Sequence, residues 1–310
     1  MKTKKTILVI GATGKTGQPV VEQLLREGLE VRAVIRREDS RSEKLRDAGA
    51  QTVRGDVHDI QSVRELVKGI DHIYFAYPPQ EDRLVEATAN IAIAAKDEGI
   101  SGIVNMSQIS VRENARSALT HHHWLSEAVF DHANVGAIHI RPTYFMENLL
   151  LFNADAIASE GKIYLPYGSR SHAPIAANDI ARSVVALLLD PEPHAGERVI
   201  LTGPDNLSIA EMANVIGQVM GRPVTYVDLP AEQWREILIQ QVGMPEFLAD
   251  HLYKVAIDHQ EGIFDRQTDT VEALTGTAAQ SLKDFVRENL AQFKGDEAVF
   301  LGGLPVAKGA

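Results

Sequence analysis

Residues Ile7–Gly17 read ILVIGATGKTG, and this stretch decides the fold of the chain. An apolar run, Ile7–Ile10, ends in a loop that has glycines at positions 11, 14 and 17. Apolar residues at helical spacing follow at once, and Gly28 marks the end of that helix. A strand, a glycine loop and a helix in this order direct backbone N–H groups and a helix N-terminus at a phosphate. The stretch therefore predicts a dinucleotide-binding site.

The spacing of the glycines excludes one alternative. Gly14-Lys15-Thr16 would suit a phosphate loop of the kinase type, but that motif needs a glycine five residues before Gly14, where the chain has Val9. The observed G-x-x-G-x-x-G spacing instead resembles the extended and atypical short-chain dehydrogenase/reductases. The loop residues that we expect to contact the cofactor are Gly11, Thr13, Gly14, Lys15, Thr16 and Gly17.

Composition narrows the function classes. The chain has 310 residues, of which 45% are hydrophobic, so it suits one sizeable domain or a domain with a smaller appendage. Its net charge of −11 argues against direct nucleic-acid binding. It has no cysteine, which excludes disulfides, thiolate catalysis and cysteine metal sites. Since no segment approaches the roughly 20 apolar residues of a membrane helix, we expect a soluble cytoplasmic protein.

Strands alternate with helices over the first half of the chain. Six such units precede residue 145 and predict an α/β fold, a Rossmann-type doubly wound parallel sheet. After Arg141-Pro142, helical segments dominate. We therefore expect an NADP(H)-binding Rossmann core at 1–145 and a loose tail at 296–310. Between them, 146–295 would form a smaller, mostly helical substrate region that is interleaved with the core and closes the substrate cleft.

Two strand ends indicate which dinucleotide binds. Arg36 ends the second strand, where NAD-binding proteins carry an acidic residue for the ribose 2′-hydroxyl. An arginine there suits a 2′-phosphate, which favours NADP(H) over NAD(H). Asp56 and Val57 follow the third strand, and they could bind the adenine amino group and ring. The alternative for Asp56 is a helix N-cap.

Two further strand ends carry candidate site residues. Tyr77 follows the fourth strand, where it could face the nicotinamide ribose or the substrate, or only cover the sheet edge. Ser107 ends the fifth strand, where short-chain reductases place a serine that polarises the substrate carbonyl. We expect both residues at the cofactor. The Tyr-x-x-x-Lys pair that those enzymes add is absent after Ser107.

A histidine and a glutamate stand where that pair would be. His123 and Glu127 share one face of a helix through their four-residue spacing, and such a pair could donate a proton near neutral pH. The alternative is a polar helix start without a catalytic role. Neighbouring histidines at 121, 122 and 123 would point in different directions, so we expect no metal site.

Several segments together resemble the NmrA-like branch of the atypical short-chain dehydrogenases. They are the glycine loop, Arg36, the missing Tyr-x-x-x-Lys pair, Arg141–Asn148 (RPTYFMEN), Asn178–Ala181 (NDIA), Leu201–Pro204 (LTGP) and Gly221–Val224 (GRPV). The resemblance covers roughly residues 5–295. It implies the Rossmann core, a preference for NADP(H), and a site between the two regions bordered by Tyr144, Phe145 and Asn148. The branch includes quinone, azo-dye and phenylpropanoid reductases as well as non-catalytic redox sensors.

Two functional hypotheses follow. In the first, the protein is an NADPH-dependent reductase that passes hydride to a small conjugated electrophile such as a quinone, with His123, Tyr77 or Tyr144 as candidate proton donors. In the second, it is a non-catalytic NADP(H)-binding redox sensor that regulates a protein partner. A sugar-nucleotide epimerase is disfavoured because it needs the absent Tyr and Lys. A homodimer is expected only as the commonest oligomer.

Overall fold

The computed structural model describes residues 4–79 and 82–298, so the predicted tail at 296–310 lies mostly outside the described residues. The strands are β1 (Thr6–Ile10), β2 (Glu30–Ile35), β3 (Gln51–Arg54), β4 (His72–Phe75), β5 (Ile103–Met106), β6 (Ala137–Pro142), β7 (Lys162–Leu165), β8 (Ser171–His172), β9 (Arg198–Leu201), β10 (Leu207–Ser208) and β11 (Thr225–Asp228).

The helices alternate with these strands in the first half of the chain and dominate the second half. They are α1 (Gly17–Arg26), α2 (Ser40–Asp47), α3 (Ile60–Val67), α4 (Leu84–Glu98), α5 (Ala118–Ala133), α6 (Glu147–Glu160), α7 (Ala177–Leu189), α8 (Ile209–Met220), α9 (Ala231–Gln240), α10 (Glu246–Gln260), α11 (Thr270–Thr275), α12 (Leu282–Glu288) and α13 (Leu290–Lys294). No helix among the described residues is long and apolar enough to cross a membrane.

The main sheet has the strand order β3-β2-β1-β4-β5-β6-β9. The pairs from β3 through to β6 are all parallel. The chain places β2 and β3 on one side of β1 and then β4, β5 and β6 on the other side. This is the strand order of the Rossmann fold. The predicted α/β class and doubly wound parallel sheet are therefore confirmed.

The chain divides into two compact units, and neither is continuous in sequence. Within the described residues, the first unit comprises residues up to 114, 119–141 and 180–199. The second comprises 115–118, 142–179 and the residues from 200 onward.

The apolar run of β1 forms the centre of the first unit. Ile7, Leu8 and Val9 are fully buried, because β2 and β4 flank the strand and helices cover both faces of such a sheet. On α1 the buried side chains are Val20, Val21 and Leu24, three of the four apolar positions at helical spacing, whereas the fourth, Leu25, is partly exposed. Burying each of these side chains contributes about 1.5–3 kcal/mol, so the glycine loop between β1 and α1 is held at both ends.

The second unit is mostly helical and contains small sheets outside the main one. Ser208 and Glu211 form a capping box at the start of α8, since each side chain bonds the backbone N–H of the other residue. α12 and α13 are separate helices that meet at Asn289. β7 and β11 form a parallel two-stranded sheet.

Candidate functional site

The glycine loop closes a tight turn between β1 and α1. The Gly14 N–H donates to the Gly11 carbonyl at 2.9 Å. Gly11 has φ +77°, and a Cβ there would lie 2.4 Å from the Ala76 carbonyl oxygen. A Cβ on Gly17 would lie 2.1 Å from the Gly11 carbonyl oxygen. Both positions require glycine because the fold brings backbone against them.

Gly14 differs from its two neighbours in the loop. A Cβ there would meet only the Gly11 carbonyl oxygen, at 3.1 Å, and its φ is not in the left-handed region. Packing within the protein therefore demands glycine less strongly at this position. Thr13, Gly14 and Lys15 are partly exposed, whereas Thr16 and Gly17 are buried. The outward side of the loop is thus the side that a phosphate can approach.

The two ends of the loop have different surroundings. The Thr16 hydroxyl lies 2.8 Å from the hydroxyl of Tyr74 in the core, so the side chain predicted at the cofactor points away from solvent. Any contact of Thr16 with a phosphate would come from its backbone. The first turn of α1 carries no acidic side chain, so no carboxylate there would compete with a phosphate for the positive end of the helix dipole.

The two acidic residues after β2 bond to neighbouring residues of α2. The Glu38 carboxylate pairs with Arg46 at 2.7 Å. Asp39 caps α2, and the Arg41 guanidinium beside it lowers the pKa of its carboxyl to about 2. Arg36 follows directly after β2 and is exposed. The strand end therefore presents a positive charge where a 2′-phosphate would bind.

The loop after β3 contains a hydrogen-bonded turn. Asp56 Oδ1 accepts from the backbone N–H of His58 at 2.9 Å and lies 3.1 Å from His58 Nδ1. Asp59, not Asp56, caps α3, so the helix-cap interpretation of Asp56 is wrong. Asn90 donates to the Val57 carbonyl at 3.1 Å and holds the loop against α4. His58 Nε2 lies 2.9 Å from the Tyr77 hydroxyl, a contact that sequence reasoning missed.

Ser107 is held by a buried ion pair. Its hydroxyl donates to Glu127 Oε1 at 2.6 Å. The same carboxylate accepts from Arg141 Nε at 3.0 Å and from Arg141 Nη2 at 2.5 Å. Burial raises the pKa of Glu127, but the bonds from Arg141 and Ser107 outweigh it and leave that pKa below its usual range. The carboxylate therefore remains ionised, and it can only accept the hydrogen bond that the Ser107 hydroxyl donates.

This arrangement corrects the expectation for His123. Glu127 turns to Ser107 and Arg141 and makes no hydrogen bond with His123. The Nδ1 atom of His123 is buried and has no hydrogen-bond partner in the part of the chain that the structure describes, although the residue as a whole is half-buried. Desolvation lowers the pKa of His123 to about 4, despite the opposing charge of Glu127. The imidazole is neutral near pH 7, so a proton donated by it at that pH is not supported.

The neighbouring histidines do not converge on one point. His121 Nδ1 lies 2.7 Å from the Glu113 carbonyl, and its ring stacks on Trp124. His122 Nδ1 lies 3.2 Å from the Asp82 carboxylate. Within residues 4–79 and 82–298, no three His, Asp or Glu side chains are grouped so as to hold a metal ion.

Tyr144 belongs to the second unit, whereas the predicted cofactor residues all belong to the first. It is 3% exposed, and its hydroxyl has no hydrogen-bond partner among the described residues. Burial raises its pKa well above 10. Its ring packs edge-on against Tyr167 and His259. These facts make Tyr144 a poor proton donor.

His259 stacks between Tyr167 and Phe264, with ring centroids 3.9 Å and 3.6 Å away. His172 lies 4.6 Å from it, and both rings are almost fully buried. Desolvation lowers the pKa of His172 to about 4 and that of His259 well below its usual value. The cluster joins residues 167 and 172 to residues 259 and 264, two segments that are far apart in sequence, so no local pattern could have predicted it.

Comparisons with known proteins agree with this description. A model of the NmrA-like family matches residues 3–293. An NAD(P)H azoreductase of Xenophilus azovorans is 32% identical over 293 residues, which are 93% of this chain and 99% of the relative.

Two solved structures share the fold. The NADPH-dependent quinone oxidoreductase QOR2 of Escherichia coli, complexed with NADPH, has TM-score 0.81 and 21% identity over 92% of this chain and 99% of its own. Nmra, a negative transcriptional regulator in complex with NADP, has TM-score 0.82 and 17% identity over 96% of this chain and 99% of its own. With the family match extending over nearly its whole length, the chain belongs to the NmrA-like family, as the sequence motifs predicted.

Proposed function

We propose that the protein is an NADPH-dependent reductase that passes hydride to a small conjugated acceptor such as a quinone or an azo compound. The glycine loop, the exposed Arg36 and the acid-free start of α1 support binding of NADP(H). The similarity to an NAD(P)H azoreductase and to an NADPH-dependent quinone oxidoreductase agrees with this cofactor and this reaction class.

The observation that carries the choice of acceptor is the bond from Ser107 to Glu127. A reductase of simple ketones needs a hydrogen-bond donor or acid at the carbonyl oxygen, since an unstabilised alkoxide develops there. In this chain the Ser107 proton is directed to an ionised carboxylate. The Ser107 oxygen keeps lone pairs and suits contact with a donor group, such as a ribose hydroxyl of the cofactor.

A conjugated acceptor fits a site of this kind. When bound, NADPH would supply hydride from C4 of its nicotinamide. A quinone that takes up hydride becomes a delocalised hydroquinone anion, which collects its proton from solvent. The task of the protein is then to hold cofactor and acceptor close together and in line. We therefore assign no proton-donor role to His123, Tyr77 or Tyr144.

The test is steady-state oxidation of NADPH with a panel of quinones, azo dyes and simple ketones. We expect turnover with the conjugated acceptors and little with the ketones. Ser107→Ala should keep kcat for a quinone within about threefold, because no proton passes through its hydroxyl. Turnover of simple ketones alone, or a large loss of kcat for quinones in Ser107→Ala, would contradict the proposal.

The same bond from Ser107 also favours a second candidate, the redox sensor. A site whose hydroxyl groups are committed to internal partners can bind NADP(H) and leave it unreacted. The sensor requires that NADP⁺ and NADPH bind with different affinities and that capture of a protein partner changes with the cofactor state. Equal affinities and no partner, together with turnover of a quinone, would leave only the reductase.

A further inference from the structure

A hydrogen-bonded chain of side chains, Asp56–His58–Tyr77, links the loop after β3 to the loop after β4. His58 Nδ1 lies 3.1 Å from Asp56 Oδ1, and His58 Nε2 lies 2.9 Å from the Tyr77 hydroxyl. β3 and β4 are not neighbours, because β2 and β1 lie between them in the sheet. These hydrogen bonds therefore link the loop after β3 with the loop after β4. The ends of β2 and β1, which carry Arg36 and the glycine loop, lie between those two loops.

The charge of Asp56 fixes the direction of its bonds with His58. The His58 backbone N–H lowers the pKa of the Asp56 carboxyl, which is therefore ionised and can only accept. His58 Nδ1 must then donate to the carboxylate, and Nε2 faces the Tyr77 hydroxyl at 2.9 Å. The Tyr77 oxygen also receives the backbone N–H of Arg83. The hydroxyl is thus engaged on both sides by the protein.

Exposure increases along this chain. Tyr77 is 8% exposed, whereas the side chain of Asp56 is 66% exposed. His58 lies between them, with its side chain 12% exposed and its ring edge-on to that of Tyr77 at 5.9 Å. Both N–H groups of His58 bind the same oxygen of Asp56, Oδ1. A buried pair of rings therefore fixes the orientation of an exposed carboxylate whose other oxygen takes part in neither of these bonds.

The carboxylate lies at the adenosine end of the site. In a Rossmann fold the end of β2 faces the ribose of the adenosine, and β3 pairs with β2 on its outer side. Arg36 and Tyr77 are close enough for the arginine charge to act on the phenol, although burial dominates and raises the pKa of Tyr77 to about 12. The exocyclic amino group of adenine is the donor that a carboxylate in this place would accept.

We propose that His58 is a positioning residue of the cofactor site, which together with Tyr77 holds the Asp56 carboxylate where the adenine amino group binds. This inference rests on the proposed binding of NADP(H). It assigns Tyr77 to recognition of the nucleotide and removes it from the chemistry of reduction.

The test separates the two halves of the cofactor. His58→Leu in the full-length protein is titrated calorimetrically with adenosine 2′,5′-bisphosphate and, separately, with reduced nicotinamide mononucleotide. We expect Kd for the bisphosphate to rise about tenfold, the effect of one lost hydrogen bond to a charged group. Affinity for the mononucleotide, and kcat for a quinone at saturating NADPH, should stay within about twofold of wild type.

His194→Leu is the matched control. His194 Nδ1 also pairs with a carboxylate, that of Glu197 at 2.8 Å, but it lies in the short 3₁₀ helix Glu192–His194, far along the chain from the loops after β3 and β4. Its removal should leave the affinity for both fragments unchanged. If His58→Leu does not fold, as judged by circular dichroism, Tyr77→Phe takes its place, because it removes only the hydroxyl that is hydrogen-bonded to His58.

Each outcome decides the matter. If kcat at saturating NADPH falls while affinity for the bisphosphate is unchanged, the hydrogen-bonded side chains supply protons. The positioning role of His58 would then be wrong. A wild-type protein that binds the bisphosphate no more tightly than the variants also overturns it, while the proposed function stands. A wild-type protein that binds neither fragment nor NADPH removes the proposed function itself.

Discussion

Ser107 and Glu127 are joined by a 2.6 Å hydrogen bond in which the serine hydroxyl donates to the carboxylate. The parallel register of β5 and β6 places Asn105 beside His139 and Met106 beside Ile140, and the Ser107 N–H donates to the Ile140 carbonyl. Ser107 and Arg141 are thus the next residues along two neighbouring strands. Glu127, from α5, reaches both of them, so one carboxylate sets the hydrogen-bonding character of the serine.

Removing the charge of Glu127 should destabilise the protein. In Glu127→Gln the half-buried guanidinium of Arg141 loses its ionic partner, and we expect the free energy of unfolding to fall by about 3 kcal/mol. Urea unfolding at pH 7 measures the change. Glu86→Gln is the control, since Glu86 and Arg83 form an exposed ion pair whose loss should cost far less stability. Equal losses in the two variants would contradict the assignment.

Two glycines of the loop should respond differently to alanine. In Gly17→Ala the Cβ would lie 2.1 Å from the Gly11 carbonyl oxygen, and we expect a loss of about 3 kcal/mol or more. In Gly14→Ala the nearest atom would be 3.1 Å away, so stability should change by only about 1 kcal/mol. Because the new methyl group would face the phosphates, affinity for NADPH should fall about tenfold. Thermal unfolding and NADPH fluorescence titration test both changes, and undiminished affinity in Gly14→Ala would place the phosphates elsewhere.

Arg36 should set the preference for NADPH over NADH. Arg36→Gln removes the charge that follows β2, and we expect Kd for NADPH to rise about 10- to 100-fold while that for NADH changes little. The control is Arg37→Gln, because Arg37 is 77% exposed and lies 3.6 Å from the Asp39 carboxylate. Should both cofactors lose affinity equally, Arg36 would not be reading the 2′-phosphate.

The buried histidines should make the protein sensitive to acid. The pKa of His172 is about 4 in the folded state and about 6.5 in the unfolded chain, so the unfolded state binds the proton more readily. Stability is therefore fully present above pH 6.5 and is lost as the pH falls toward 4. For His172 alone the loss at pH 5 is about 2 kcal/mol.

The measurement is urea unfolding at pH 7.5 and pH 5. His172→Leu should lose less stability between these pH values than the wild type does, because it has one fewer buried group to protonate. His132→Leu, an exposed position at the end of α5, should behave like the wild type. An unchanged pH dependence in His172→Leu would show that other groups control the acid transition.

Much of the fold follows from local pattern. The strand and helix that flank the glycine loop are bounded by apolar periodicity and glycine, and the same alternation through residue 145 predicted the parallel sheet. The ends of its strands led to the prediction that Arg36, Asp56, Tyr77 and Ser107 belong to one site. In the structure these residues follow β2, β3, β4 and β5 of the parallel sheet. Short strands such as β8 and β10 were missed because two residues carry no period.

The partners of those side chains could not be predicted. His58 was overlooked, although it stands only two residues after Asp56, because its contact with Tyr77 spans 19 positions of the chain. The spacing of His123 and Glu127 suggested a catalytic pair, and the carboxylate binds Arg141 and Ser107 instead. A shared helix face permits a contact between two residues, but the competing partners on the sheet decide whether it forms.

By itself, the sequence determined the Rossmann topology and the position of the glycine loop, because both arise from the order of short local patterns along the chain. Only the tertiary structure decided what the site residues can do. The direction of the Ser107 hydrogen bond, the neutrality of His123 and the engagement of Tyr77 depend on burial and on partners from other strands. Protonation and hydrogen-bond direction are set by the surroundings of a group, and those surroundings exist only when the chain is folded.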